Sequence, residues 1–140
     1  ILCEAGLLPG ALLHNESRQF ICRNVTLKPV SRTASISREL EGKKPLTIPI
    51  AHGEGNYHIG QDGLKMLEDN DQILFQYCDE KGAVNNWSNP NGSIMNIAGI
   101  ANKRMNVFGM MPHPERAASE DLGNTDGAAI LQGLAALVEA

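Results

Sequence analysis

The stretch Met110-Met111-Pro112-His113-Pro114-Glu115-Arg116 decides how the rest of this chain is read. An apolar run over residues 107–111 leads into it, prolines flank the histidine, and a glutamate follows two positions later. Proline holds its own φ at about −65° and drives the residue before it toward extended geometry, so His113 is expected outside any helix. In an extended chain, residues i and i+2 face the same side, roughly 6.5 Å apart at Cα. Glu115 is therefore placed to hydrogen-bond one imidazole nitrogen and leave the other free. That is the base-and-orienter half of a nucleophilic triad, whose nucleophile must come from elsewhere. The blander reading is a rigid surface turn carrying two solvated side chains.

Outward from this stretch, residues 94–101 and 107–111 read as a β-hairpin around Asn102-Lys103-Arg104, so His113 follows the end of a buried strand. Upstream, Asn89-Pro90-Asn91-Gly92 is a turn, and residues 72–78 form another strand, closed by Asp79-Glu80-Lys81-Gly82. Leu64 and Leu67 mark the inner face of a short helix over residues 64–68. Residues 45–51 make an apolar strand whose Pro49 belongs at an edge or bulge, because it has no N–H to give a ladder. That strand runs into His52-Gly53-Glu54-Gly55-Asn56-Tyr57-His58, a glycine-spaced polar loop able to offer backbone amides to a small polar ligand. Residues 20–30 are rich in β-formers and predict a strand or two, while residues 31–44 read as a loop or short irregular helix. Downstream, Asn124-Thr125-Asp126 caps a last helix with the apolar face Ile130, Leu131, Leu134, Leu137 and Val138.

The opening Ile1-Leu2-Cys3-Glu4-Ala5 reads as helix, stopped by Gly6 with Leu7 and Leu8 after it. Five residues are too few to nucleate a helix alone, so the expectation is a chain that starts inside a helix and is a fragment of a longer protein.

The 140 residues allow at most one small domain, here an incomplete one over residues 1–140, and the 42% apolar content is enough for a core. A formal net charge of −4 with scattered Lys and Arg excludes a nucleic-acid footprint. No apolar run approaches the roughly 18 to 20 residues of a membrane span, and no signal peptide is evident. Three cysteines, Cys3, Cys22 and Cys78, form no disulfide framework and suit a reducing cytoplasm. The sequons at Asn15, Asn24, Asn86 and Asn91 are read as chance. None of the cysteines sits on a tight turn at a helix start. Cys3 lies among apolar neighbours, and Cys78 is followed by Asp79 and Glu80, which disfavour a thiolate. A metal site built from His52, His58 and His113 lacks the cysteine or carboxylate help such sites usually show, so no metal is expected.

Three segments in this order carry a family resemblance: Pro49-Ile50-Ala51-His52-Gly53-Glu54-Gly55, then Asn89-Pro90-Asn91-Gly92-Ser93 with Ile97-Ala98-Gly99-Ile100, then Gly109-Met110-Met111-Pro112-His113-Pro114-Glu115-Arg116-Ala117. Together they resemble the class I (triad) glutamine amidotransferases, and within them the glutaminase subunits of phosphoribosylformylglycinamidine synthase. Residues 1–12 resemble the helix after that family's nucleophile, and residues 17–30 its short stand-alone form.

The resemblance implies a flavodoxin-like α/β domain with a mixed, mostly parallel sheet whose N-terminal part is missing. It implies that His113 is the general base and Glu115 its orienter, and that His52, Gly53 and Glu54 line a glutamine pocket. The nucleophilic cysteine would lie on an elbow ending just before Ile1, so these residues alone are expected to be inactive, and poorly soluble with sheet faces and edges bare. Asn56 stands where the family leads one to expect arginine. The implied reaction is glutamine hydrolysis through a Cys-His-Glu triad, with ammonia passed to a large ATP-dependent synthetase subunit in purine biosynthesis. A small accessory subunit is a further partner. No cofactor belongs to this subunit, and ATP and magnesium belong to the synthetase. The rival readings are an amidotransferase serving another synthetase, and a non-catalytic module whose Gly53 and Asn91 loops dock a partner.

Overall fold

The computed structural model describes residues 1–40 and 42–138, with side chains through residue 136 except that of residue 41. In chain order the strands are β1 (Ala11–Leu13), β2 (Ile21–Pro29), β3 (Leu46–His52), β4 (Asn56–His58), β5 (Ile73–Cys78), β6 (Ile97–Ala101) and β7 (Phe108–Met110). The helices are α1 (Ser35–Arg38), α2 (Gln61–Asp69) and α3 (Asp126–Val138). Strands β3, β2, β5, β6 and β7 lie in that order in one sheet, and β1 pairs with β4 in a separate ribbon.

Every described ladder is antiparallel. The mixed, mostly parallel sheet is the expectation for the whole domain, and the described part pairs antiparallel throughout. Parallel neighbours need a crossover returning the chain to the same end of the sheet. Here β2 and β3, and β6 and β7, are joined at adjacent ends, so each pair runs in opposite directions. The expected hairpin forms, with Ala101 opposite Phe108, although residues 94–96 make a 3-10 turn ahead of it.

Period-two burial shows why β3 is a strand. Leu46, Ile48 and Ile50 face the core while Thr47, Pro49 and Ala51 are half-buried. Its free edge is covered. The Thr47 N–H donates to Asp126 Oδ2 (2.8 Å), and its carbonyl accepts from Asn124 Nδ2 (2.6 Å). The Asp126 carboxylate thus satisfies the sheet edge, while Asn124 Oδ1 receives the N–H of Asp126 at the start of α3. Pro49 also faces this edge, where its missing N–H costs no ladder bond.

Two apolar clusters fill the interior. Leu27, Ile36, Leu40, Ile48, Leu74, Tyr77 and Ile130 belong to one, while Leu8, Tyr57, Leu64, Leu67, Ile73 and Ile100 belong to the other. Leu64 and Leu67 point inward from α2 as their spacing implied. On α3, Ile130 is fully buried and Leu131 and Leu134 are half-buried. The side chains of residues 137 and 138, placed on the same face by the sequence, lie outside the described set. At the N-terminus the expected helix is a single turn, with Ala5 N–H on the Ile1 carbonyl. It closes as a Schellman motif, Leu7 N–H on Leu2 O and Gly6 N–H on Cys3 O.

Candidate functional site

His113 is placed by the edge of the sheet. Its backbone N–H donates to the carbonyl of Pro49, the outward-facing residue of β3, at 2.8 Å. The histidine is non-helical (φ −107°, ψ 86°), and Pro114 then opens a 3-10 turn over Pro114–Ala117. Glu115 therefore does not reach the imidazole as an i+2 neighbour on a strand. It reaches it from the first turn of a 3-10 helix, with Oε1 2.8 Å from His113 Nδ1. A carboxylate oxygen can only accept, so Nδ1 carries the proton of a neutral His113 and the Nε2 lone pair is left available. No described group hydrogen-bonds Nε2. The His113 side chain is one-third exposed, so that nitrogen is reachable. Arg116 Nε lies 3.8 Å from the same glutamate oxygen.

The turn rests on α3. A Cβ at Gly127 would lie 2.0 Å from the Pro114 carbonyl oxygen, so the helix can approach this closely only without a side chain there. Ala117, fully buried, closes the turn against the core.

The polar segment after β3 is partly strand, because residues 56–58 pair with β1. His52 is buried, 6% exposed, with both ring nitrogens engaged. Nδ1 faces Asn15 Oδ1 at 3.0 Å, and Nε2 faces Asn91 Nδ2 at 3.5 Å. An amide oxygen accepts and an amide nitrogen donates, so this pairing suits the neutral Nδ1–H tautomer. Burial, with a smaller push from the charge of His113, holds the His52 pKa below its ordinary value. The ring lies against Gly55, where a Cβ would stand 2.2 Å from Cε1. His52 therefore supports the loop and offers no free side-chain atom to a ligand. Gly53 is half-buried, and exposed Glu54 makes a loose pair with His14 Nδ1 at 3.4 Å. The N–H groups of Gly53 and Glu54 have no acceptor among the described residues.

The sequence missed Asn15 and Asn91. Both are 1% exposed, and each anchors several hydrogen bonds from another part of the chain. A faint signal was present, since Asn89-Pro90-Asn91-Gly92-Ser93 packs three hydrogen-bonding side chains into five residues. Cys78 is buried and its pKa is pushed up to about 11, first by burial and then by Asp79. Burial likewise raises the Cys3 thiol, whose Sγ lies near the Pro9 carbonyl (3.7 Å). Cys22 is exposed on β2. No cysteine is hydrogen-bonded to His113 among the described residues. No group of three or more metal-ligating side chains forms among them either, and His52 has no ring nitrogen to lend to one. Among the described residues, no helix is long and apolar enough to cross a membrane.

A histidine oriented by a carboxylate at the edge of a sheet is an arrangement that can act as a base in acyl transfer. Residues 2–126 match the model of the CobB/CobQ-like glutamine amidotransferase domain, and the chain belongs to that family. Among characterised relatives it is 53% identical over 127 residues to the phosphoribosylformylglycinamidine synthase subunit PurQ of Aquifex aeolicus, covering 91% of this chain and 56% of that protein. To the same subunit of Synechocystis sp. it is 52% identical over 130 residues, covering 93% and 58%. It superposes on a chain of the PurLQS structure from Thermotoga maritima with a TM-score of 0.78 at 36% identity, covering 98% of this chain and 57% of that one. The chain thus spans a little over half the length of the proteins it matches. The amidotransferase fold class expected from the sequence holds, with the antiparallel portion of that fold seen here.

Proposed function

We propose that this chain supplies the base, the orienter and part of the substrate pocket of a glutaminase serving phosphoribosylformylglycinamidine synthase. The observation that carries this reading is the 2.8 Å contact between His113 Nδ1 and Glu115, which leaves Nε2 available as a base. The similarity to subunits of phosphoribosylformylglycinamidine synthase supports this choice of substrate and partner.

This geometry supports the following chemistry. A cysteine thiolate from outside these 140 residues attacks the carboxamide carbon of glutamine. As the C–N bond breaks, the imidazolium of His113 gives its Nε2 proton to the departing ammonia, leaving a glutamyl thioester. Nε2 then takes a proton from water as the oxygen attacks the thioester. The C–S bond breaks, glutamate leaves and the thiolate is restored. Glu115 holds the Nδ1–H tautomer and stabilises the imidazolium. The N–H pair of Gly53 and Glu54 binds a carboxylate or carbonyl oxygen of glutamine.

Ammonia would pass to a large synthetase subunit that holds ATP and magnesium, with a small accessory subunit as a further partner, all in the cytoplasm. The test is glutamine hydrolysis by the complete subunit, then ammonia transfer to formylglycinamide ribonucleotide in the presence of the synthetase. His113→Ala is expected to lower hydrolysis by several orders of magnitude. Near-full activity of that variant would refute the assignment of the base. Hydrolysis without transfer would point to a different synthetase.

A further inference from the structure

The loop after β3 is held at the carbonyls of His52, Gly53 and Gly55 by side chains and one backbone N–H from two distant segments. Asn15 Nδ2 donates to His52 O (2.8 Å), and the Asn15 N–H donates to Gly53 O (2.9 Å). Gly55 N–H donates to Asn15 Oδ1 (3.0 Å). From the other side, Asn91 Nδ2 donates to Gly55 O (2.8 Å), and Ser93 Oγ lies 3.1 Å from the same carbonyl. Asn91 is itself locked, its Oδ1 accepting from the N–H and the Oγ of Ser93 (3.1 and 2.7 Å). His52 bridges the two asparagines through its ring.

We propose that Asn15 and Asn91, acting through His52 and the carbonyl of Gly55, are positioning residues that aim the N–H groups of Gly53 and Glu54 at the substrate. The substrate part of this inference rests on the glutaminase reading; the positioning part does not. Two features set the cluster apart from ordinary loop bracing. It satisfies the carbonyls of residues 52, 53 and 55 and the N–H of residue 55, and it leaves unclaimed the two consecutive donors between them. It is also buried, so its hydrogen bonds act in a low local dielectric and are costly to break. A pair of donors fixed in advance binds without the ordering cost a mobile loop would carry.

The experiment compares Asn91→Ala and Asn15→Ala with Gln72→Ala in the complete subunit. Gln72 is a buried amide donating to Ala101 O at the far end of β5, and it serves as a control for general loss of stability. Both asparagine variants should raise KM for glutamine roughly tenfold or more with kcat changed less than about threefold, the equivalent of one misplaced polar contact. In amide NMR spectra they should shift the Gly53 and Glu54 signals, and Gln72→Ala should not. An unchanged KM with those amide signals in place would overturn the proposal. If the wild-type subunit hydrolyses no glutamine, the glutaminase reading fails, and the amide spectra still decide whether the asparagines position the loop.

Discussion

The carbonyl of Pro49 accepts the backbone N–H of His113 at 2.8 Å. One residue that cannot donate to a ladder thereby presents its acceptor at the sheet edge, and that acceptor locates the candidate base. The remaining edge bonds, from Asp126 and Asn124 to Thr47, tether the start of α3 to the same strand. His113, Glu115 and α3 are held on β3 as one unit, and perturbing any of them should be felt at the imidazole.

Gly127→Ala tests that linkage. Alanine is favoured over glycine by up to about 1 kcal/mol inside a helix, and by less in a first turn such as that of Gly127. Here the added methyl meets the Pro114 carbonyl, so the sign should reverse, with a loss of about 1–3 kcal/mol as in overpacked sites. Thermal melts should show a lower Tm, and kcat should fall as the turn carrying Glu115 moves. A raised Tm with unchanged kcat would show that α3 does not set this turn.

Glu115→Gln separates orientation from charge. The amide oxygen can still accept from Nδ1, but it no longer stabilises an imidazolium. Glutamine hydrolysis by the complete subunit should fall by about 10²–10⁴ with KM little affected. A loss below threefold would make Glu115 a surface residue of the turn.

His52 makes stability depend on pH. Burial holds its folded pKa below the ordinary 6.5, so below about pH 6.5 the unfolded chain binds more protons than the folded one. Stability is therefore full above that pH and falls as the medium is acidified. The slope from this group is at most about 1.4 kcal/mol per pH unit. Protonated Nε2 would also face the donating amide of Asn91. Denaturant unfolding between pH 5 and 8 should show a steeper acid loss in wild type than in His52→Gln. Parallel curves would mean that His52 is not held neutral.

The thiols should react in order of burial. Cys22 is exposed and should be alkylated first at about pH 8, while Cys78, with its pKa near 11, should stay protected until unfolding. Early labelling of Cys78 would show that the end of β5 opens readily.

Local patterns reveal much of this protein in its sequence. Alternation marks β3, the spacing of Leu64 and Leu67 marks α2, and the Gly6 stop marks a helix end, because each depends on neighbours within one turn or one pleat. The pair of His113 and Glu115 is also local, and two prolines leave it few geometries. The sequence still suggested the wrong route, an extended i+2 contact, because Pro114 is equally suited to start a 3-10 turn.

What only the tertiary structure decided lies between segments far apart in the chain. Asn15, His52 and Asn91 are separated by 37 and 39 positions, and as isolated residues they read as a chance sequon, a pocket histidine and a turn. Folding buries them together, and burial turns polar side chains that water would otherwise satisfy into obligate partners of one another. The antiparallel order of the sheet and the contact of Gly127 with Pro114 are of the same kind. Periodicity specifies which face of an element is buried, while the partner on that face is chosen by the packing of the whole chain.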